Sequence, residues 1–297
     1  MNAVEQLRKV VVTELLSLGT MKKVWPIWKP HFQKITNGKP PSAKELQVIG
    51  NELYKIFKTT SSGREQSDVS GGGAAWEALI CWYLNLCLLG SNTVVIKSKK
   101  ANIPPSISHA ISVNYGNFAS NTESDLLAIT FPDDPTLSVA FTGKHSELME
   151  LLSSVIESRF IETELGIIQC KTNWNDNAQI PMLWDLIYAS SGFSTNARVG
   201  SNGFSHTKLS KFTYSFVTVP TVKPEKFKPT STSVMRVKNL SGGNYWGLPS
   251  QKGIASNIFD IIQNNFSTSH SSYPNGWHKD ISNEISTMLK KQNYFML

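Results

Sequence analysis

Apolar positions near the start of the chain recur at helical spacing. Residues 1–18 place apolar side chains on one face of a helix, namely Val4, Leu7, Val11 and Leu15. Ser42 and Glu45 have the spacing of a capping box, which predicts a second helix that ends near Lys58. We therefore expect an N-terminal helical segment over residues 1–60.

The stretch between these two helices contains proline. Residues 25–32 have the sequence WPIWKPHF. Proline in a helix interior removes a backbone hydrogen bond, and its ring collides with the preceding turn. Because Pro26 and Pro30 would both do this, the segment is predicted to be an irregular apolar link.

Strand and helix patterns alternate in the rest of the chain, residues 61–297, which is predicted to form one further domain. Short apolar or alternating runs predict strands at residues 93–98, 126–131, 165–170 and 212–219. Helical patterns predict helices at residues 74–89, 145–160, 180–189, 253–266 and 279–291. The chain is thus predicted to have an α/β (α+β) fold, a mixed central sheet flanked by helices, with a loop- and strand-rich region towards the C-terminus.

Candidate chemistry lies on the strand predicted at residues 165–170 and just after it. Gln169 and Lys171 project from one face because side chains alternate along a strand, and Cys170 points to the other face. An amide oxygen can bind a hard cation, and an ammonium group can neutralise a developing oxyanion. A solvated strand end is the alternative interpretation of so short a pattern.

An acidic residue precedes another predicted strand. Asp125 opens the apolar run at residues 126–131. An acid at the mouth of one buried strand, followed by a Gln-x-Lys on a later one, resembles the core of the PD-(D/E)XK nuclease family. The resemblance implies a restriction-endonuclease-like core, in which Asp125 and Gln169 bind Mg²⁺ and Lys171 assists the attacking water. It extends from about residue 71 to residue 188.

The chain departs from the family pattern at two positions. Ser124 replaces the family proline, and Gln169 replaces its usual acid, a minority pattern among restriction endonucleases of this family. An amide lowers the local negative charge, so metal binding should be weaker or should depend on another acid. Glu77 and Asp185, each on a predicted helix, are the candidates for that acid. Each could also be an ordinary acid on a helix surface.

The polar cluster after Lys171 is the candidate for base recognition. The separation of Asp125 and Lys171 is similar to that in family members that cut around CCGG, where a matching cluster contacts base edges. The resemblance implies DNA contacts from five residues, Asn173, Asn175, Asp176, Asn177 and Gln179. Asparagine and glutamine pair with adenine, and aspartate accepts from cytosine. The cluster contains no arginine, so CCGG recognition is not carried over, and a self-bonded polar turn is the alternative.

Composition favours an acidic partner. The net charge is +7 over 297 residues, which suits nucleic acid. Basic and aromatic residues interleave on predicted loops between residues 190 and 250, the expected DNA-contacting region. Three cysteines are too few for a disulfide framework and wrongly spaced for a zinc site, which indicates a reducing cytoplasm. No apolar run is long enough for a membrane span, so none is expected.

Three functions remain open. The first is a type II restriction endonuclease that cleaves double-stranded DNA at a specific sequence with Mg²⁺, in a prokaryotic cytoplasm, as a homodimer encoded beside a cognate DNA methyltransferase. The second is a DNA-binding protein on the same scaffold that has lost catalysis, which Gln169 would permit. The third is a carbohydrate-binding protein that uses some of its eight tryptophans as platforms.

Overall fold

A computed structural model describes residues 1–60, 69–97, 99–116, 118–121, 124–172, 197–219, 228, 230, 243–245, 258, 261 and 285–297. The helices within these ranges are α1 (Ala3–Ser17), α2 (Gly19–Thr36), α3 (Ala43–Lys58), α4 (Val69–Cys87), α5 (Pro105–Ala110), α6 (Pro135–Ser138), α7 (His145–Ser158) and α8 (285–291). The strands are β1 (Thr93–Lys97), β2 (Ser112–Tyr115), β3 (Phe118–Asn121), β4 (Leu126–Thr130), β5 (Glu164–Lys171), β6 (Ala197–Val199), β7 (Lys211–Thr218) and β8 (Gly243–Tyr245). Helices and a mixed sheet are therefore present, which confirms the predicted α/β class.

The central sheet has the order β1-β4-β5-β7-β8. β1, β4 and β5 pair antiparallel, whereas β5, β7 and β8 pair parallel. The strands predicted at residues 93–98, 126–131, 165–170 and 212–219 are all confirmed, to within two residues at each end. The helix predicted at residues 180–189 lies outside the described residues.

Helix α4 covers one face of the central sheet. Its apolar residues between Ala75 and Cys87 are almost completely buried, as their density along the sequence predicts. The indole Nε1 of Trp76 donates to the carbonyl oxygen of Val217 on β7 at 3.2 Å, and the thiol of Cys81 lies 3.3 Å from the carbonyl oxygen of Val95 on β1. These contacts fix α4 across the sheet from β1 to β7.

The N-terminal helices pack into the same hydrophobic core as the sheet. The helices predicted at residues 1–18 and 42–58 are confirmed as α1 and α3. The predicted capping box is also present, because Ser42 Oγ accepts from the backbone of Glu45 while the Glu45 carboxylate accepts from the backbone of Ser42.

The irregular link predicted at residues 25–32 is wrong, because α2 runs without a break through both prolines. Pro26 and Pro30 are four residues apart and both are exposed, so the carbonyl groups that lose a partner can bond to water. The ring centroids of Trp25 and Phe32 lie 5.7 Å apart, and each lies 4.9 Å from the ring centroid of Trp82 on α4. Burial of this aromatic face outweighs the lost hydrogen bonds.

A second sheet has the order β3-β2-β6. β2 and β3 form a hairpin in which Tyr115 pairs with Phe118, and β6 pairs with β2 from much later in the chain. The hairpin leads into β4, so it is inserted between two strands of the central sheet.

No helix among the described residues is long and apolar enough to cross a membrane.

Candidate active site

Three strand ends meet at one end of the central sheet. The antiparallel register places Lys97, the last residue of β1, opposite Leu126, the first residue of β4, and Leu126 opposite Ile168 of β5. Asp125 immediately precedes β4, and Lys171 ends β5. We call this group of Lys97, Asp125 and Lys171 the polar end of the sheet.

Asp125 and Lys171 are brought into contact there. The Nζ atom of Lys171 lies 3.4 Å from Oδ2 of Asp125, and the two side chains are 22% and 19% exposed. The same carboxylate oxygen accepts the backbone N–H of Cys170 at 2.8 Å. Two donors on β5 therefore hold the carboxylate against the strand that carries Gln169.

Glu77 reaches the polar end from α4. Its Oε2 atom lies 2.9 Å from Nζ of Lys97, with the side chains 22% and 27% exposed. Burial raises the pKa of Glu77, while the ion pair with Lys97 opposes that shift; the charge of Asp125 raises the pKa further, and that of Lys171 lowers it. The charges of Asp125 and Lys171 therefore both influence the pKa of Glu77.

Lys97 was not identified by the sequence reasoning. It ends the predicted strand at residues 93–98, and its Nζ atom also donates to the carbonyl oxygen of Ala74 at 3.2 Å. The available signal was a single lysine after four buried residues of an otherwise apolar strand. Such a residue is ordinarily a solvated strand end, and only the packing of α4 reveals its acidic partner.

Gln169 is not a solvated strand end, because only 2% of it is exposed. The parallel register with β7 aligns Ile167 with Tyr214, so Tyr214 and Gln169 lie on the same face of the sheet. Burial raises the pKa of Tyr214, and the negative charge of Asp125 raises that pKa further. The contact of Tyr214 with the Gln169 side chain opposes this shift. Tyr214 is a second residue near the site that the sequence reasoning missed.

Cys170 points to the opposite face, towards α4, as strand alternation predicts. Burial raises the pKa of its thiol well above the usual value, and the neighbouring Asp125, Glu77 and Cys81 add to the shift. A thiol in such surroundings stays protonated and is a poor nucleophile. Cys170 therefore packs the sheet against α4.

Asp133 and Asp134 lie at the other end of β4. The Pro-Asp-Asp-Pro sequence predicts a turn, and Oδ1 of Asp134 accepts from the backbone N–H of Thr136 at 2.9 Å at the start of α6. Asp134 also forms an ion pair with Arg159 at 3.5 Å. The Asp134 carboxylate is therefore occupied in local structure, beyond the end of β4 opposite to Asp125.

The donor atoms at the polar end are compatible with Mg²⁺. No group of three or more His, Cys, Asp or Glu side chains with a metal-binding arrangement occurs among the described residues. Mg²⁺ retains several water ligands and is commonly held by only one or two carboxylates. Asp125 and Glu77 could supply these, whereas the buried amide of Gln169 projects from the face of β5 opposite to the one that Cys170 turns towards α4.

Several predicted residues lie outside the described part of the chain. These are Asn173, Asn175, Asp176, Asn177, Gln179 and Asp185. Most of the DNA-contacting region expected between residues 190 and 250 lies outside it as well, so base recognition stays a prediction.

No protein-family model matches the chain, and no curated protein sequence matches it significantly.

Proposed function

We propose that the protein is a type II restriction endonuclease, which cleaves double-stranded DNA at a specific sequence by Mg²⁺-dependent hydrolysis of a phosphodiester bond. One observation carries the proposal: the Lys171 ammonium group lies 3.4 Å from the Asp125 carboxylate at the polar end of a mixed sheet. Neither residue is near the other in sequence, so folding has brought together the acid and the lysine that the chemistry requires.

The division of roles follows from the donor types. Bound Mg²⁺ would supply electrophilic polarisation of the scissile phosphate. Asp125 and Glu77 would provide the anionic oxygens for a hard cation, and Gln169 would offer a neutral one. The ammonium group of Lys171 would orient the attacking water and stabilise charge on the phosphate oxygens.

The partial burial of these groups supports the proposal. The four charged side chains at the site are each between 19% and 27% exposed. Electrostatic interactions are stronger in such surroundings than in water, because less solvent screens them. Each of these side chains nevertheless keeps part of its surface in contact with solvent.

A DNA-binding protein without catalysis is the second candidate. Two observations favour it: Gln169 replaces an acid, and the described residues contain no cluster of three acidic, histidine or cysteine ligands. The carbohydrate-binding alternative has less support, because Trp25, Trp28, Trp76 and Trp82 are buried in the core and cannot act as exposed platforms.

Plasmid cleavage separates the first two candidates. Wild-type protein is incubated with plasmid DNA in Mg²⁺ or Mn²⁺, and discrete bands are expected. Asp133→Asn serves as the matched control for Asp125→Asn, because it neutralises an exposed acid at the far end of the same strand. Salt-sensitive DNA binding without any discrete band would favour the non-catalytic candidate.

The remaining expectations concern the biological setting. Short palindromic sites are commonly matched by two-fold protein symmetry, so we propose a homodimer in a prokaryotic cytoplasm. Sedimentation equilibrium would test the dimer. A gene for a DNA methyltransferase beside the gene for this protein would support the restriction role, because host DNA must be protected from the nuclease.

A further inference from the structure

Together with Glu77 of α4, the polar end has two carboxylates and two ammonium groups in a paired arrangement. Lys171 contacts Asp125 from β5, and Lys97 contacts Glu77 from β1. Each acid is thus matched by one lysine on the neighbouring element. The four charges sum to zero, so the site carries little net attraction for a cation.

Lys97 is held in place by more than its ion pair. Its Nζ atom lies 2.9 Å from Oε2 of Glu77 and 3.2 Å from the carbonyl oxygen of Ala74, one turn earlier on α4. The lysine therefore connects the end of β1 to α4. Both contacts hold Lys97 beside Glu77, whose carboxylate also senses the charges of Asp125 and Lys171.

We propose that Lys97 is a positioning residue of this site, which holds Glu77 at the polar end and competes with a divalent cation for its carboxylate. The inference rests on the proposed function, since it assumes that Glu77 and Asp125 receive a divalent cation. It adds a second lysine to the site. This lysine lowers the affinity of the DNA-free protein for a divalent cation.

A more exposed ion pair, that of Lys99 with Glu14, provides a control for the pair of Lys97 with Glu77. Lys99 lies two residues further along and forms an ion pair with Glu14, with the side chains 54% and 38% exposed. Glu14 lies among Lys99, Asn102 and His145 and is not one of the acids of the site. Lys99→Met therefore removes the same charge from the same segment without freeing an acid of the site.

Calorimetric titration with Mn²⁺ tests the inference on DNA-free protein. Lys97→Met leaves Glu77 without its ammonium partner and changes the local charge by one unit, so the dissociation constant for Mn²⁺ should fall about tenfold. Lys97→Arg keeps the charge and should stay within about twofold of wild type. Lys99→Met should leave Mn²⁺ affinity unchanged.

A double-mutant cycle locates the effect at Glu77. If Lys97 acts by competing for that carboxylate, Glu77→Gln with Lys97→Met should bind Mn²⁺ no more tightly than Glu77→Gln alone. In cleavage assays Lys97→Met should need less Mg²⁺ for half-maximal rate yet show a lower kcat, because Glu77 has lost its anchor. A lysine with only a structural role would change stability without tightening cation binding.

Unchanged or weaker Mn²⁺ binding by folded Lys97→Met would overturn the inference, as would the absence of Mn²⁺ binding by wild-type protein. If Lys97→Met does not fold, Lys97→Gln is measured against the same expectation, since it retains a polar donor for the Ala74 carbonyl group. Wild-type cleavage of DNA with a failed titration would reject the role of Lys97 alone. Loss of both cleavage and cation binding would reject the proposed function as well.

Discussion

Lys171 and the backbone N–H of Cys170 both address the same oxygen of Asp125, Oδ2, at 3.4 Å and 2.8 Å. The carboxylate is therefore oriented by β5 before any ligand arrives. Preorganisation of this kind reduces the cost of assembling a site, because the geometry is already set in the free protein. It also determines which substitutions at residue 125 preserve the fold.

Asp125→Asn is expected to abolish cleavage while preserving structure. The amide oxygen can still accept the N–H of Cys170, but the charge that would hold the cation is lost. The cleavage rate should fall at least about 100-fold. DNA affinity in EDTA, measured by fluorescence anisotropy, should be retained or increased, because a negative charge facing the phosphates is removed. Near-normal cutting would reject Asp125 as a ligand.

Gln169→Glu should make thermal stability dependent on Mg²⁺. The new carboxylate would be buried close to Asp125, so the melting temperature in EDTA should fall below that of wild type. In Mg²⁺ the added anionic ligand should give a larger rise in melting temperature than wild type shows. Gln47→Glu, at an exposed position of α3, should show neither change. An equal response to Mg²⁺ in both would place Gln169 outside the cation site.

Arg8→Met should be strongly destabilising. The buried guanidinium group donates to Glu5 at 3.0 Å and to the carbonyl oxygens of Ser91 and Thr93 at 2.8 and 2.7 Å. Its removal leaves the Glu5 charge buried without its cation, which should cost about 3–5 kcal/mol of unfolding free energy in urea titrations. The exposed ion pair of Lys55 provides the control.

Lys55→Met removes a lysine that lies 2.6 Å from Glu52 but is 56% exposed. Solvent screens an exposed pair of this kind, so Lys55→Met should leave the midpoint of urea unfolding almost unchanged. Similar losses for Arg8→Met and Lys55→Met would show that the buried network does not stabilise the fold.

His206 should make stability fall in mild acid. Burial lowers the pKa of His206 below its usual 6.5, so the unfolded chain binds a proton at a higher pH than the folded protein does. Stability is therefore lost as the pH falls through about 6.5 towards the lower folded value. Urea titrations at pH 7.5 and 5.5 should show a smaller loss for His206→Gln than for wild type. Equal losses would contradict the assignment.

The three cysteine thiols should be inert in the folded protein. Cys81, Cys87 and Cys170 are all free and buried. Burial raises the pKa of Cys81 to about 12, so its reactive thiolate is scarce at neutral pH. Ellman's reagent should therefore detect no thiol in native protein and three after unfolding in guanidinium chloride. A rapidly reacting native thiol would indicate that α4 opens away from the sheet.

Much of the central sheet could be predicted because its strands are short apolar runs with clear boundaries. β1, β4, β5 and β7 were all found in this way. The same patterns placed Asp125 and Lys171 at strand ends, and the antiparallel register then brought them together. The local sequence therefore contains the acid and the lysine, although their distance is a property of the fold.

Other features depend on contacts that local patterns do not encode. The helix α2 survives two prolines because they face solvent while its aromatic residues pack against Trp82. β6 has only three residues, and its partner β2 lies far earlier in the chain. The pairing of Lys97 with Glu77 likewise joins a strand to a helix, and neither residue is unusual in its own segment.

The position of Phe295 has a consequence for synthesis of the protein. Its carbonyl oxygen accepts from the indole of Trp82 at 3.1 Å, and the neighbouring Tyr294 donates to Glu5 of α1 at 3.2 Å. Residues 294 and 295 therefore help to complete a core most of whose members are made much earlier. Until these residues leave the ribosome, the aromatic cluster around Trp82 lacks one wall. A nascent chain should accordingly gain full stability, and with it a rigid polar end, only after residue 295 has been released.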